Sequence, residues 1–461
     1  SKAPGPDQMP PRLIKEFAYE LSTPLTDILN ASLREGRVPP EWKEATVVPV
    51  PKKQPADLDN VRPVSLTAQF AKVCEGFVSS WILSDISSQI DPKQFGNLKG
   101  CSTTHCLIDL LNFFFAGIER KASAGTLILT DFSKAFDRVC HNTAVSKLIS
   151  MGARPSLIPW LCSFMSCRKQ RVRYQGALSD WEFLTCGVAQ GTLLGPLVFL
   201  VMINDFKPAT TNSHWKYVDD VNLGEMRTSA TTSTLQTDLD NLEIWSTNSH
   251  MMLNPQKCKA MHFCFMRHPP QVPALTLGGV PLTIVTQARL LGLHIRSDLR
   301  WDNQVNEMVS KGSKRLFLVS RLRRSGIPTS DLVTIYCGYV RPILEYATPC
   351  WSAALTQKQS DALERVQKRA CRIILGRTYN SYTATLNQLN LPRLSTRRQQ
   401  LCTDFAAKLE QSPRFRSWLP PTRGQQHGRN LRNASRYGQP SGTNRYTRSA
   451  IPAIIRLLNE L

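Results

Sequence analysis

Tyr217-Val218-Asp219-Asp220 stands between two short runs, His214 to Val218 and Val221 to Met226, and the pattern predicts strand, tight turn, strand with two adjacent carboxylates at the tip. About ninety residues earlier, Thr126 to Thr130 predicts another short strand, which ends at Asp131 in Leu-Thr-Asp131-Phe132-Ser-Lys-Ala-Phe136-Asp137. Three aspartates therefore fall at strand ends or turns. Aspartate favours turns in any case, so the adjacent pair alone is weak evidence of chemistry. Phosphoryl transfer, however, uses two divalent ions roughly 3.5 to 4 Å apart, and carboxylates from two neighbouring strands bracket such a pair. Asp131 and Asp219 are the natural bridging ligands.

The chain has 461 residues, long enough for two to four units. Its 57 Lys and Arg against 35 Asp and Glu give a formal charge of +22, which argues for a polyanionic partner, either nucleic acid or an anionic membrane. A hydrophobic share of 42% excludes wholesale disorder. The longest strongly apolar stretch, Leu193 to Ile203, is interrupted by Gly195 and Pro196 and falls short of the ~20 residues of a membrane span. The opening Ser1-Lys2 is followed by no charged and then apolar leader, so secretion is not expected, and the chain reads as a fragment of something longer. Thirteen scattered cysteines without a CxxC pair fit a reducing compartment, and Cys258, His262 and Cys264 alternate as in a strand more than they cluster as metal ligands.

Around the acidic sites, helices are predicted over Leu13 to Leu33, Leu107 to Ile118, Thr143 to Met151 and Thr232 to Ser246. Leu193 to Asn204 is apolar all round and predicts a buried helix. Thr46-Val-Val-Pro49-Val-Pro51-Lys predicts a strand, with the prolines marking an edge or a loop rim. Gln170 to Tyr174 and Trp181 to Cys186 predict a strand pair around Gly176. From about residue 300 the pattern turns helical, over Asn303 to Leu322, Ser330 to Tyr346 and Gln357 to Leu375, and reads as a separate helical unit. From Arg393 onward, twelve arginines and one lysine face one aspartate and two glutamates among Gly, Pro, Asn, Ser and Gln, which predicts a poorly ordered basic extension.

Two further stretches give the acidic sites company. Gly187-Val-Ala-Gln190-Gly191-Thr-Leu-Leu-Gly195-Pro196 lies between them, and Asn60-Val-Arg62-Pro63-Val-Ser65-Leu lies upstream. In this order the motifs resemble the reverse transcriptases of non-LTR retrotransposons, of the jockey-like and CR1-like kind. Further matches are Lys2-Ala-Pro-Gly-Pro-Asp7, Pro40-Glu-Trp42-Lys43, Gln94-Phe95-Gly96 through Ser102-Thr103, Ile203-Asn204-Asp205, Asn254-Pro-Gln-Lys257-Cys258, Leu291-Gly292 through Trp301, and Tyr339-Val-Arg341 through Tyr346.

The resemblance implies an α+β right-hand polymerase: fingers and a palm with an antiparallel sheet over residues 1–265, a helical thumb and connecting helices over 266–380, and a basic, partly disordered C-terminal extension over 381–461. It implies an RNA-directed DNA polymerase using dNTPs, an RNA template and a DNA primer, with two Mg²⁺ ions (Mn²⁺ as an alternative) held by Asp131, Asp219 and Asp220. Lys52 and Arg62 would grip the triphosphate. Phe132, Phe136, Gln190 and Gly191 would lie against the nucleotide, Phe136 as the gate against a ribose 2′-hydroxyl. Lys257 would act as general acid toward pyrophosphate. Each has a plainer alternative: Asp220 as a turn cap, Phe136 as core, Gln190-Gly191 as a turn, Lys52, Arg62 and Lys257 as solvated cations.

Lys311, Lys314 and Arg315 fall on one predicted helix, and Arg365, Lys368 and Arg369 recur at i, i+3, i+4 on another, as expected for tracking a nucleic-acid backbone. The tail, with Trp418, Tyr437 and Tyr446 among its arginines, either binds RNA or is drift in a decayed copy. The resemblance further implies an intracellular site of action, nuclear during DNA synthesis, no membrane partner, and an endonuclease upstream of this chain. Ala189, Val61 and Val218 depart from the usual residues without removing a ligand, and a catalytically inert, nucleic-acid-binding relic stands as the alternative.

Overall fold

The computed structural model describes residues 3–52, 61–120, 123–228, 230–271, 274–427 and 436–460. Lys2 and Asn60, each quoted in a motif above, and residues 428–435 of the tail lie outside the described residues. The architecture is α+β.

Nine strands and fifteen helices position the site. The strands are β1 (Glu44–Pro51), β2 (Val61–Leu66), β3 (Ser123–Leu129), β4 (Arg168–Tyr174), β5 (Ala177–Leu178), β6 (Glu182–Leu184), β7 (Ser213–Tyr217), β8 (Asp220–Thr228) and β9 (Lys259–Cys264). The central sheet has the order β9-β3-β8-β7, all antiparallel, with the short strand Thr283–Ile284 outside β9. Strand β3 lies in its middle and is buried along nearly all its length because both of its faces are covered. Successive side chains point to opposite faces, so Leu127 joins one buried cluster and Ile128 the other.

Helices α1 (Pro11–Glu16) and α2 (Ala18–Glu35) realise the first predicted helix, broken at Phe17, where φ is −102° and ψ 30°. Helix α3 (Gln69–Ile86) follows β2. Helix α4 (Thr103–Ile118) packs Leu107, Leu111 and Phe114 on one face of the central sheet. The other face is covered by α5 (His141–Ser150), α6 (Ile158–Met165), α7 (Leu194–Asn204) and α8 (Leu235–Asn248). Helix α7 is buried all round, as its apolar sequence predicts, and Leu235, Leu239 and Leu242 of α8 are fully buried.

The second sheet corrects the reading of β1 as an edge. β1 pairs antiparallel with β2 over Thr46–Pro51 and parallel with β4 over Glu44–Val47. Its prolines are tolerated because Pro49 and Pro51 lie beyond the last residue paired to β4. The predicted pair around Gly176 is also finer than expected, since β4 pairs with both β5 and β6.

Beyond residue 300 come α9 (Asp302–Arg324), α10 (Thr329–Ile335), α11 (Arg341–Glu345), α12 (Thr348–Trp351), α13 (Gln357–Leu375), α14 (Tyr382–Gln388) and α15 (Leu394–Gln411). These helices share a core with the sheet: one buried cluster runs from Phe114 and Phe263 through Leu316, Leu363 and Ile374 to Phe415 and Ile454. Part of the basic C-terminal stretch is helical. Helix α15 and the last helix, Ala450–Glu460, bury Leu394, Ala406, Leu409, Ile451 and Ile454, apolar positions at helical spacing that outweigh the arginine-rich composition. No helix among the described residues is long and apolar enough to cross a membrane.

Phe114 has no exposed surface and sits 4.5 Å, ring to ring, from Phe263 and 6.2 Å from Trp215. Phe114→Ala is expected to cost about 3 to 5 kcal/mol, read as a lower denaturant midpoint at unchanged slope.

Candidate active site

The three aspartates meet at one end of the central sheet. Strands β3 and β8 run antiparallel with Leu129 opposite Asn222. The Thr130 N–H then donates to the Val221 carbonyl at 3.3 Å, which continues the ladder and sets Asp131 across from Asp220. Tyr217 pairs with Asp220, so Val218 and Asp219 form the two-residue tip of the β7-β8 hairpin. Val218 has a φ of 58°, a left-handed conformation that costs a β-branched residue strain. The main chain of Asp131 is fixed by its carbonyl accepting from Asn254 N–H at 2.7 Å and by its N–H against Cys258 Sγ at 3.4 Å. The Asn254-to-Cys258 turn also brings Lys257 Nζ to 3.7 Å from Asp131 Oδ2, with the lysine side chain largely exposed and the aspartate half-buried.

The strained tip is held from behind. Residues 93 to 96 run parallel to β7: Phe95 N–H donates to Lys216 carbonyl at 2.8 Å, and Lys216 N–H donates to Lys93 carbonyl at 2.9 Å. A Cβ on Gly96 would come within 2.5 Å of Val218 N, so only glycine lets this loop close on the turn. Lys216 is fully buried, and its ammonium donates to Asp91 Oδ2 (2.6 Å), Asn204 O (2.8 Å) and Phe206 O (2.6 Å). His214 Nε2 meets the same Asp91 oxygen at 2.7 Å. Burial raises the Asp91 carboxyl, yet the bonds from His214 and Lys216 outweigh it and hold it well below the usual range.

Electrostatically the acidic cluster opposes itself. Asp220 is pushed up to about 7 by burial and by the charges of Asp219 and Asp131. Asp219 is raised by desolvation and by Asp131, with Arg62 and Lys52 pulling the other way. Both cations therefore lie within electrostatic reach of the cluster, Arg62 on β2 and Lys52 just past β1, and both side chains are exposed.

The nucleotide-side expectations divide. Gln190 Nε2 lies 3.4 Å from Asp137 Oδ1, and the Gln190 carbonyl accepts from Ser65 N–H at 2.8 Å, tying this loop to β2. Gly191 is needed at its position because a Cβ would fall 2.2 Å from the Ser65 carbonyl oxygen. Pro63, Asp137, Gly187 and Gln190 line a cavity of about 160 Å³. The half-buried Phe136 stacks on Phe199 with ring centroids 4.7 Å apart. The Phe132 ring is buried and meets Trp245 edge-on at 6.4 Å, because the residue next to Asp131 along an extended chain points the opposite way, into the core.

Lys311, Lys314 and Arg315 line a groove of about 540 Å³ between α9 and the hairpin Gln287–Leu290/Leu293–Arg296, together with Tyr346. The Arg315 guanidinium lies 4.3 Å over the Tyr339 ring and donates to its carbonyl. On α13, Arg365 and Arg369 are exposed and Lys368 is half-exposed, but none of them lines that groove.

Sequence reading missed Lys216, Asp91 and Asn204 as supports of the hairpin. The signal was present at Lys216: alternation along β7 puts it on the face opposite Trp215 and Tyr217, inside the core. It also left Asp137 without a role.

Among the described residues, no group of three or more His, Cys, Asp or Glu side chains is gathered so as to hold a metal ion unaided. The donors present at the cluster are carboxylate oxygens, which suit Mg²⁺, an ion that commonly takes one or two protein carboxylates and completes its shell with substrate phosphates and water. An open, self-repelling carboxylate set fits a cation that arrives with a triphosphate.

The family described as reverse transcriptase (RNA-dependent DNA polymerase) matches residues 50–295, a span that contains every carboxylate just described. The chain belongs to this family. Among its relatives, the RNA-directed DNA polymerases from mobile element jockey of Drosophila funebris and of Drosophila melanogaster are each 26% identical over 89% of this chain and 46% of their own length. The probable RNA-directed DNA polymerase from transposon BS of Drosophila melanogaster is 26% identical over 85% of this chain and 45% of its own length. This reverse-transcriptase chain thus spans less than half the length of these relatives. Among solved structures, apo telomerase from Candida tropicalis aligns over 61% of this chain and 59% of its own at 11% identity with a TM-score of 0.38, a likeness too distant to carry weight.

Gly96→Ala is expected to leave the chain folded but to displace the 217–219 turn, lowering single-nucleotide incorporation at least about tenfold, since a misplacement of roughly 1 Å at a reacting centre costs up to ~10²-fold. For Asp220, the folded chain keeps a proton up to about pH 7 that the unfolded chain gives up near pH 4. The folded state then binds more protons than the unfolded one, so this group makes stability fall as pH rises through that window. Without divalent ions, the stability of Asp220→Asn relative to the parent should therefore grow from pH 4 to 7 and level off above it, as read by urea unfolding at each pH.

Proposed function

We propose that this chain is the polymerase of a non-LTR retrotransposon, an RNA-directed DNA polymerase that adds dNTPs to a primer 3′-hydroxyl. The observation that carries the reading is the convergence of Asp131, Asp219 and Asp220 at one sheet end, within a chain of the reverse transcriptase family and beside cations from the β1-β2 hairpin. On this reading residues 1–265 are fingers and palm, 266–380 the thumb and connecting helices, and 381–461 a C-terminal segment.

Asp131, Asp219 and Asp220 would hold the Mg²⁺ ions. Bound there, the ions would supply Lewis-acid chemistry, lowering the pKa of the primer hydroxyl and offsetting the charge on the leaving pyrophosphate. The chain's own groups do the rest. Arg62 and Lys52 orient the triphosphate, Gln190 and Gly191 lie against the nucleotide, and Phe136 closes the space a 2′-hydroxyl would need. Lys257, which salt-bridges Asp131 across 3.7 Å, is within reach of a phosphate at the same carboxylates and gives a proton to pyrophosphate as it leaves. Lys311, Lys314 and Arg315 contact the backbone of the template-primer duplex from their groove, and Arg365, Lys368 and Arg369 extend the basic surface along α13. An RNA template, a DNA primer and dNTPs are the partners, and the nucleus is the place of synthesis.

The test is primer extension on an RNA template with a DNA primer, Mg²⁺ and dNTPs, comparing the parent with Asp219→Asn. The parent should extend, and Asp219→Asn should be slower by at least about a thousandfold, because several kcal/mol of charge stabilisation are removed. Template-primer bound by the parent without any extension would instead make the chain a binding relic.

A further inference from the structure

The C-terminal segment reaches back, across more than three hundred residues of sequence, to the loop that backs the acidic hairpin. After α15 the chain turns at Ser412 and presents Arg414 and Phe415 to the loop 92–96. The Arg414 guanidinium donates through Nη2 to the carbonyl of Pro92, at 2.9 Å, and to that of Gln94. Phe415 is buried, and its ring stacks on Phe95 (6.2 Å, 6°) and on His105 (4.3 Å, 19°).

The alternation in this loop is what gives the contact a direction. In an extended chain, successive carbonyls point to opposite sides. Lys93 and Phe95 turn their main-chain groups to Lys216 of β7, whereas Pro92 and Gln94 turn theirs away and find Arg414. Gln94 has no exposed surface, so its outward carbonyl has no access to water and depends on that guanidinium. Arg414 does for the outer edge of the loop what a further strand would do. From there the chain of contacts is short: the Gln94 side chain accepts from Gly96 N–H at 2.8 Å, and Gly96 lies against the strained Val218 of the turn that carries Asp219.

We propose that Arg414, with Phe415, is a positioning residue for the catalytic hairpin: the C-terminal segment clamps the loop 92–96 against β7 and so fixes where Asp219 stands. The proposal rests on the polymerase reading for its functional consequence, but the clamp itself is measurable without activity. Both bonds leave from one guanidinium nitrogen, which an ammonium with its several N–H groups replaces in part, so Arg414→Lys should keep part of the effect and Arg414→Met none.

The experiment uses the full chain and its Arg414→Met and Arg414→Lys variants. Amide hydrogen exchange of the chain without ligands should show residues 93–96 and 213–220 of Arg414→Met exchanging at least tenfold faster than the parent, with β3 and β9 unchanged and Arg414→Lys in between. In primer extension, Arg414→Met should bind template-primer as the parent does, lose tenfold or more in kcat with little change in KM for dNTP, and need several times more Mg²⁺ for its half-maximal rate. Exchange at 93–96 and 213–220 equal to the parent's would overturn the proposal. So would exchange raised equally throughout the sheet, or a loss of template-primer binding with kcat and the Mg²⁺ requirement unchanged. A parent chain that extends no primer would overturn the polymerase reading alone, since the exchange comparison still decides the clamp.

Discussion

Three carboxylates crowd one end of a β-sheet, and their mutual repulsion is the constraint around which the rest of the structure is arranged. Left alone, the three side chains would move apart; where they are held together, burial and the neighbouring charges push the Asp220 carboxyl up to about 7. Their proximity is instead enforced by the backbone. The β3-β8 register fixes Asp131 opposite Asp220, a two-residue turn with a left-handed Val218 fixes Asp219, and the parallel run of residues 93 to 96 backs that turn. The buried Lys216 ammonium, bonded to Asp91 and to the carbonyls that end α7, ties the hairpin to the helix beneath it. A site assembled this way is poised for cations, because a cation relieves the repulsion that the fold imposes.

The same arrangement accounts for how open the site is. The carboxylates present oxygen donors on one side, and the residues on the other side, Arg62, Lys52 and Lys257, are cations with exposed side chains. On the proposed reading, such a site would be half of a coordination shell and half of a phosphate grip, which a nucleoside triphosphate would complete.

How much of this was legible in the sequence follows from the range of the interactions. Hairpin β7-β8, strand β3 and helix α7 are local patterns, alternation or continuous apolar runs closed by turn residues, and they were readable with their carboxylates in place. Phe132 follows Asp131 in sequence, yet strand geometry sends its ring to the opposite face, against Trp245, a partner over one hundred positions away that no local pattern names. Pro49 and Pro51 suggested an edge, and only the stagger of β4 against β1 shows how a paired strand accommodates them. In the C-terminal stretch, the helical spacing of the apolar residues is a local pattern, but the partners of Phe415, Phe95 and His105, lie some three hundred positions away and no local pattern encodes that contact. Lys216 lies between these cases: its inward phase was readable, but its partners Asp91 and the α7 carbonyls were not.

The central claim is that Asp131 and Asp219 together hold the divalent ions of a nucleotidyl transfer. The most direct measurement is a crystal structure of the chain with an RNA template, a chain-terminated DNA primer and the next dNTP in Mn²⁺, with the ions located by anomalous scattering. The account predicts two peaks roughly 3.5 to 4 Å apart, each within coordination distance of oxygens from both aspartates. A bound dNTP with no peak at these carboxylates, or with peaks held by other residues, would contradict it.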